Sequence, residues 1–170
     1  MEGEIKNRVA ESNLITINLE DFYPIGNRIE LDISLWLFEG SVLREKDFRA
    51  QVKNHNWNQY QDNYVALTNT TKAIIPAWAF MLLTVQLTPF VKKMALGNLD
   101  QLENLIFQEI ISKMDLLQYK NKPVIIKGCS NKPIPESAFI QLTQALQPFA
   151  KSIMYGEACS SVPLFKRRTV

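Results

Sequence analysis

An internal repeat constrains the fold of this chain more than any other feature of its sequence. When the sequence is shifted by 59 residues, positions 64–98 align with positions 123–157 without a gap. Phe80, Leu83 and Leu87 recur as Phe139, Leu142 and Leu146. Spacings of three and seven residues place such side chains on one face of a helix. Each copy therefore predicts a helix with one buried face.

The residues around each predicted helix indicate a strand on either side of it. A short apolar run opens each copy, and an apolar segment that ends at Gly97 or Gly156 closes it. Pro76 and Pro135 are placed to start the helices, since a first-turn residue needs no amide hydrogen. The repeat thus predicts two strand-helix-strand units, with first strands at 65–67 and 124–126, helices at 76–88 and 135–147, and second strands at 91–96 and 150–155.

A linking helix over 99–118 connects the two units, with Asn98 as its cap and Gln101 in the capping-box position. Helical connections between strands favour a parallel sheet, so we predict an α/β fold with one mainly parallel sheet. In residues 1–60, segments 14–17 and 29–33 read as strands of an antiparallel edge, and 43–52 as a helix capped by Ser41. Residues 158–170 are expected to form a basic C-terminal tail, and all 170 residues a single domain.

Composition and charge exclude several classes of function. The chain has 19 basic and 17 acidic residues, which are interspersed and give a net charge of +2. Such a balance provides no basic patch for nucleic acid. The longest apolar run, 73–85, is too short and too interrupted to cross a membrane. Because the acidic N-terminus lacks the pattern of a secretory signal, we expect a cytoplasmic protein.

The two cysteines form the main candidate site. Cys129 and Cys159 each follow a predicted strand of the second unit, and parallel strands leave the sheet at the same carboxyl edge, where α/β proteins bind ligands. Their thiolates, with Glu157, would suit zinc or another thiophilic metal, or the pair would serve thiol chemistry. The alternative is that both cysteines are small buried core residues.

Other residues support different functions. Arg44, Arg49 and Lys127 are candidates for binding an anionic substrate, although the run around the two arginines also fits the solvated face of a helix. The single histidine, His55, is interpreted as an ordinary surface or capping residue rather than a catalytic one. Trp78, on an otherwise apolar helix, would suit either the core or the contact surface of a homodimer or of a non-enzymatic scaffold protein.

Four segments give the chain a family resemblance. Residues 43–49, 75–79, 125–130 and 151–160 resemble the bacterial family catalogued as domain of unknown function 2480, and the resemblance spans nearly the whole sequence. It implies a small cytoplasmic protein of uniform length. It implies no activity, substrate or catalytic residue.

Overall fold

The computed structural model describes residues 13–128 and 131–168. These residues form two compact units. The central unit comprises residues 24–106, and the terminal unit comprises the described parts of 1–23 and 107–170. Each unit contains a mostly parallel sheet and helices, which confirms the predicted α/β class. Within the described ranges, no helix is long and apolar enough to cross a membrane.

The central unit is built on a three-stranded parallel sheet in the order β2-β3-β4. Its helices α1 and α2 pack through apolar side chains onto a core that includes Phe48, Val65 and Leu83. α2 buries Ala79, Leu83 and Leu87, so the predicted burial of Leu83 and Leu87 is confirmed, whereas Phe80 is only partly buried. The elements of this unit are β2 (Arg28–Asp32), α1 (Glu45–Asn54), β3 (Tyr64–Thr68), α2 (Ala77–Leu87) and β4 (Lys93–Leu96).

The terminal unit has a four-stranded sheet in the order β1-β5-β6-β7. The first three strands are parallel, and β7 pairs antiparallel with β6. Its separate core includes Ile17, Phe107, Val124, Leu142 and Ile153. Its elements are β1 (Ile15–Ile17), β5 (Pro123–Ile126), α4 (Glu136–Leu146), β6 (Ser152–Glu157) and β7 (Ser160–Lys166), and α3 (Leu99–Ser112) begins in the central unit and ends here.

Several structural expectations were wrong. The strands divide between two sheets rather than joining one, because β1 pairs with β5 whereas β2 pairs with β3. Both N-terminal strands pair in parallel, not antiparallel, because they do not pair with each other: β1 joins β5 and β2 joins β3. Part of the predicted tail forms β7. Ser41 does not cap α1, whose N-cap residue is Arg44.

Candidate ligand-binding site

A cavity of about 300 Å³ opens at the carboxyl edge of the central sheet. Its walls come from β2, from the end of β3 and the loop after it, from the residue after β4, and from the start of α3. Because β2, β3 and β4 are parallel, the residues that follow them meet at one edge, where sheets of this class commonly bind ligands. The cavity is lined by Glu30, Thr68, Asn69, Thr70, Gly97, Asn98 and Gln101.

Thr68, the last residue of β3, places an unsatisfied polar atom at this cavity. The residue is 8% exposed, and its hydroxyl oxygen is buried without a hydrogen-bond partner in the structure. An unpaired hydroxyl in a protein interior typically costs about 1–3 kcal/mol of stability. Buried polar groups normally have a hydrogen-bond partner, and Thr68 is one of the residues that line the cavity.

Asp32 connects the ends of β2 and β3. Its carboxylate accepts hydrogen bonds from the hydroxyl of Thr70 at 2.6 Å, the hydroxyl of Ser34 at 2.7 Å and the amide of Ser34 at 2.9 Å. Burial raises the pKa of Asp32, but the hydrogen bonds from Thr70 and Ser34 outweigh it and hold the pKa below its ordinary value. The carboxylate therefore remains charged at neutral pH and orients the Thr70 side chain.

The pH dependence of stability should report on Asp32. A lowered pKa in the folded state stabilises the fold above the unfolded-state pKa, and this contribution is lost as the pH falls through the folded-state pKa. Wild-type protein should therefore lose more stability below about pH 4 than Asp32→Asn does. At neutral pH, Asp32→Ala should cost about 0.5–2 kcal/mol as a lost helix cap. Urea unfolding at several pH values measures both effects, and parallel pH profiles would contradict the first.

The loop after β3 is held by its own polar side chains. Asn69 donates from its amide nitrogen to the Ala73 carbonyl at 2.9 Å and accepts from the Thr71 hydroxyl at 2.8 Å. These bonds replace the backbone hydrogen bonds that the chain loses on leaving the sheet. The cavity wall at Thr70 is consequently pre-organised.

The opposite wall is the first turn of α3. The Asn98 side chain accepts from the Gln101 amide at 3.0 Å, and the Gln101 side chain accepts from the Asn98 amide at 2.8 Å. This reciprocal pair is the capping box that the sequence predicted. Gly97 precedes it with a φ of +123°, and a Cβ at this position would lie 1.8 Å from the side-chain oxygen of Gln101. Glycine therefore suits the backbone conformation at this position, and a side chain here would displace the Gln101 side chain from the capping box.

The predicted cysteine site is only partly described. Cys159 lies in the turn between β6 and β7 and is exposed, so the alternative of a buried structural cysteine is wrong for this residue. Glu157, the last residue of β6, is also exposed. Cys129 lies outside the described residues. Among the described residues, no group of three or more His, Cys, Asp or Glu side chains could hold a metal ion.

The predicted anion-binding residues each make a contact with another part of the chain. Arg49 forms an exposed ion pair with Glu45 one turn earlier in α1, at 2.8 Å, and Arg44 stacks over the ring of Phe38. Both contacts favour the solvated-face interpretation of this helix. Lys127 follows β5 in the terminal unit, where its backbone amide donates to the Ile17 carbonyl at 2.8 Å.

The two remaining candidates, His55 and Trp78, occupy structural positions. His55 Nε2 lies 2.8 Å from the Tyr60 hydroxyl, its ring packs against Trp57, and burial lowers its pKa. Trp78 packs edge-on against Phe48 and belongs to the central core. Trp78 is only partly buried, and α2 also exposes Met81 and Val85. Association through the apolar face around Trp78 stays a prediction.

Sequence reasoning missed the hydroxyl and carboxylate residues of the cavity. The run Thr68-Asn69-Thr70-Thr71 directly after a buried strand was the available signal, since polar residues at the carboxyl end of a parallel strand commonly face a ligand. In the sequence, Asp32 is one polar residue of the predicted strand 29–33, and that pattern assigns it no further role. Its contact with Thr70 spans 38 residues of sequence and depends on the pairing of β2 with β3.

The fold and the cavity define an α/β protein with two mostly parallel sheets and a polar pocket at the carboxyl edge of one of them. The chain belongs to the family described as "Protein of unknown function (DUF2480)", whose model matches residues 3–167. No curated protein and no solved structure matches the chain.

Proposed function

We propose that this protein binds a small molecule in the cavity at the carboxyl edge of the central sheet. The observation that carries the proposal is Thr68, a residue of the cavity wall whose buried hydroxyl lacks a protein partner. A volume of about 300 Å³ is at the lower end of the range for small-molecule sites. The ordered loop at Asn69 and the capping box at Asn98 support a pre-formed site.

Thr68→Val tests this proposal because valine keeps the shape of threonine and removes only its hydroxyl. A structural threonine would lose stability on this change. A hydroxyl retained for a ligand should instead leave the free energy of unfolding unchanged or raise it by about 1 kcal/mol, because the unpaired polar atom disappears. Urea unfolding measures the difference. Thr88→Val, which removes an exposed hydroxyl bonded to the Thr84 carbonyl, is the matched control.

The same pair of variants tests binding. Small neutral, cationic and anionic compounds are added to the full chain, and thermal unfolding and amide NMR shifts are recorded. Compounds that raise the unfolding temperature of the wild type should shift amides of residues 68–70 and 97–101, and Thr68→Val should weaken this effect. A loss of stability in Thr68→Val, with no compound shifting these amides, would overturn the proposal.

We also propose that Cys129 and Cys159 serve metal binding or thiol chemistry at the carboxyl edge of the terminal sheet. The parallel pairing of β5 with β6 supports this function, because Cys129 follows the first strand in sequence and Cys159 follows the second. The exposure of Cys159 supports it as well, since a reactive thiol must be accessible. Zinc would need further ligands such as Glu157 or water.

Thiol titration of the native protein tests this second proposal. Cys159 should react with a thiol reagent without denaturant, and Cys159→Ser should leave the free energy of unfolding within about 0.5 kcal/mol of wild type because the residue is exposed. If the cysteines bind zinc, added metal should protect both thiols until a chelator removes it. The proposal fails if added zinc leaves reactivity unchanged and Cys159 reacts no faster than free cysteine.

We infer in addition that the two units arose by internal duplication. The units share more than the aligned repeat. In each, an Asx residue at the end of the N-terminal strand caps a 3₁₀ helix with its side chain: Asn18 directly follows β1, and Asp32 is the last residue of β2. The first residue of that helix, Leu19 or Ile33, is buried in the core of its own unit. The inference would be contradicted if, across family sequences, positions 64–98 matched 123–157 no better than shuffled segments do.

A further inference from the structure

We propose that the ligand of the central cavity is an unphosphorylated sugar or polyol, recognised through neighbouring hydroxyl groups. This inference rests on the proposed binding function and adds the chemical class of the ligand. A hydroxyl group both donates and accepts hydrogen bonds, so it suits a site that offers acceptors on one wall and donors on the other. The contacts within the cavity walls arrange the site in this way.

The wall at the ends of β2 and β3 supplies acceptors. Thr70 and Ser34 both lie within donating distance of the same carboxylate oxygen of Asp32, at 2.6 and 2.7 Å. Each hydroxyl has a single hydrogen. Once Thr70 donates it to Asp32, its oxygen can only accept from a ligand. Glu30, which also lines the cavity, adds a carboxylate acceptor.

The wall at the start of α3 supplies donors. The side-chain oxygens of Asn98 and Gln101 are each engaged by a backbone amide of the capping box. This engagement assigns the orientation of both side-chain amides. Their NH₂ groups are therefore the parts of these side chains that can donate to a ligand. The Thr68 hydroxyl could serve in either role, because a hydroxyl group can both donate and accept a hydrogen bond.

The charges around the cavity disfavour an anionic ligand. Of the described residues that line it, Glu30 is charged and none is Lys, Arg or His. Asp32 keeps a second negative charge one hydrogen bond away through Thr70. Asp100 adds a third acidic side chain in the first turn of α3. A phosphate or carboxylate group would meet repulsion here without a compensating cation.

Titration of the isotope-labelled full chain tests the inference. The probes are sorbitol, myo-inositol, ribose and glucose, with glucose 6-phosphate, inorganic phosphate and ethanolamine as charged comparators. We expect saturable amide shifts at 68–70 and 97–101 with at least one uncharged polyol. The best polyol should bind about tenfold more weakly to Thr68→Val, as for the loss of one buried hydrogen bond, and unchanged to Thr88→Val.

The charged probes separate failure of the inference from failure of the proposed function. Shifts at the same amides with phosphate or ethanolamine, but with none of the four polyols, would overturn the polyol assignment and retain the binding function. Glucose 6-phosphate binding as tightly as glucose would also overturn it. If no probe of any charge shifts these amides, both the polyol assignment and the binding function fall.

Discussion

Replacing Glu103 by alanine is expected to destabilise the protein by about 3–5 kcal/mol. The Glu103 carboxylate pairs with the Nε of Arg28, and the two side chains are only 10% and 11% exposed. Arg28 also donates to the backbone carbonyls of Pro24, at 2.9 Å, and Gly26, at 2.6 Å, and stacks over the ring of Tyr64. Removing the carboxylate would take the Glu103 charge away from a guanidinium that stays buried in the central unit.

Urea unfolding with a matched control measures this loss. Glu109 lies on the same helix and forms an ion pair with Lys113, but that pair is exposed. Glu109→Ala should therefore cost no more than about 0.5 kcal/mol. The double variant Arg28→Met/Glu103→Leu should recover much of the stability lost in Glu103→Ala, because it removes both buried charges. Equal losses in Glu103→Ala and Glu109→Ala would contradict the expectation.

Gly97→Ala should have the second largest effect and should act on stability and on ligand binding together. The backbone at Gly97 has a φ of +123°, which costs a residue with a side chain about 1–3 kcal/mol. The added methyl group would also displace the Gln101 side chain and break the capping box, at about a further 1 kcal/mol. Because Gln101 lines the cavity, its displacement should abolish polyol binding.

Gly40→Ala is the control for Gly97→Ala. Gly40 also has a positive φ, +65°, but a Cβ there would meet no atom within 4 Å. Its loss of stability should be limited to backbone strain, about 1 kcal/mol, and ligand binding should persist. Thermal unfolding and the polyol titration distinguish the two variants. If Gly97→Ala is no less stable than Gly40→Ala and still binds, the role assigned to Gly97 is wrong.

The helices of the central unit show how much of the fold the sequence predicts. The repeat predicted Phe80, Leu83 and Leu87 as the buried face, and α2 buries Leu83 and Leu87 together with Ala79, while Phe80 is partly buried. The capping box of α3 was equally local, since Asn98 and Gln101 lie three residues apart. Patterns of this kind are visible in sequence because the residues that interact are neighbours on one element.

The candidate site was harder to predict because its residues are not neighbours on one element. The two cysteines stand out in the sequence because thiols are chemically distinctive. The cavity is built mainly from threonine, asparagine and glutamine, which are common on any protein surface. What sets Thr68 apart is its burial without a partner, and burial is a property of the folded chain. Sequence alone offered only the polar run after a buried strand.

Sequence patterns predicted the α/β class, the positions of α2 and α4 and the burial of Leu83, Leu87, Leu142 and Leu146. The pairing of β2 with β3 and of β1 with β5, which divides the strands between two sheets, depends on tertiary contacts. Tertiary contacts also bring Asp32 to Thr70, and Thr68 to the cavity that it shares with the start of α3. The periodicity of a sequence reflects local geometry. Strand partners and cavities depend instead on contacts between residues far apart in the chain, and the free energy of these contacts cannot be read from any single segment.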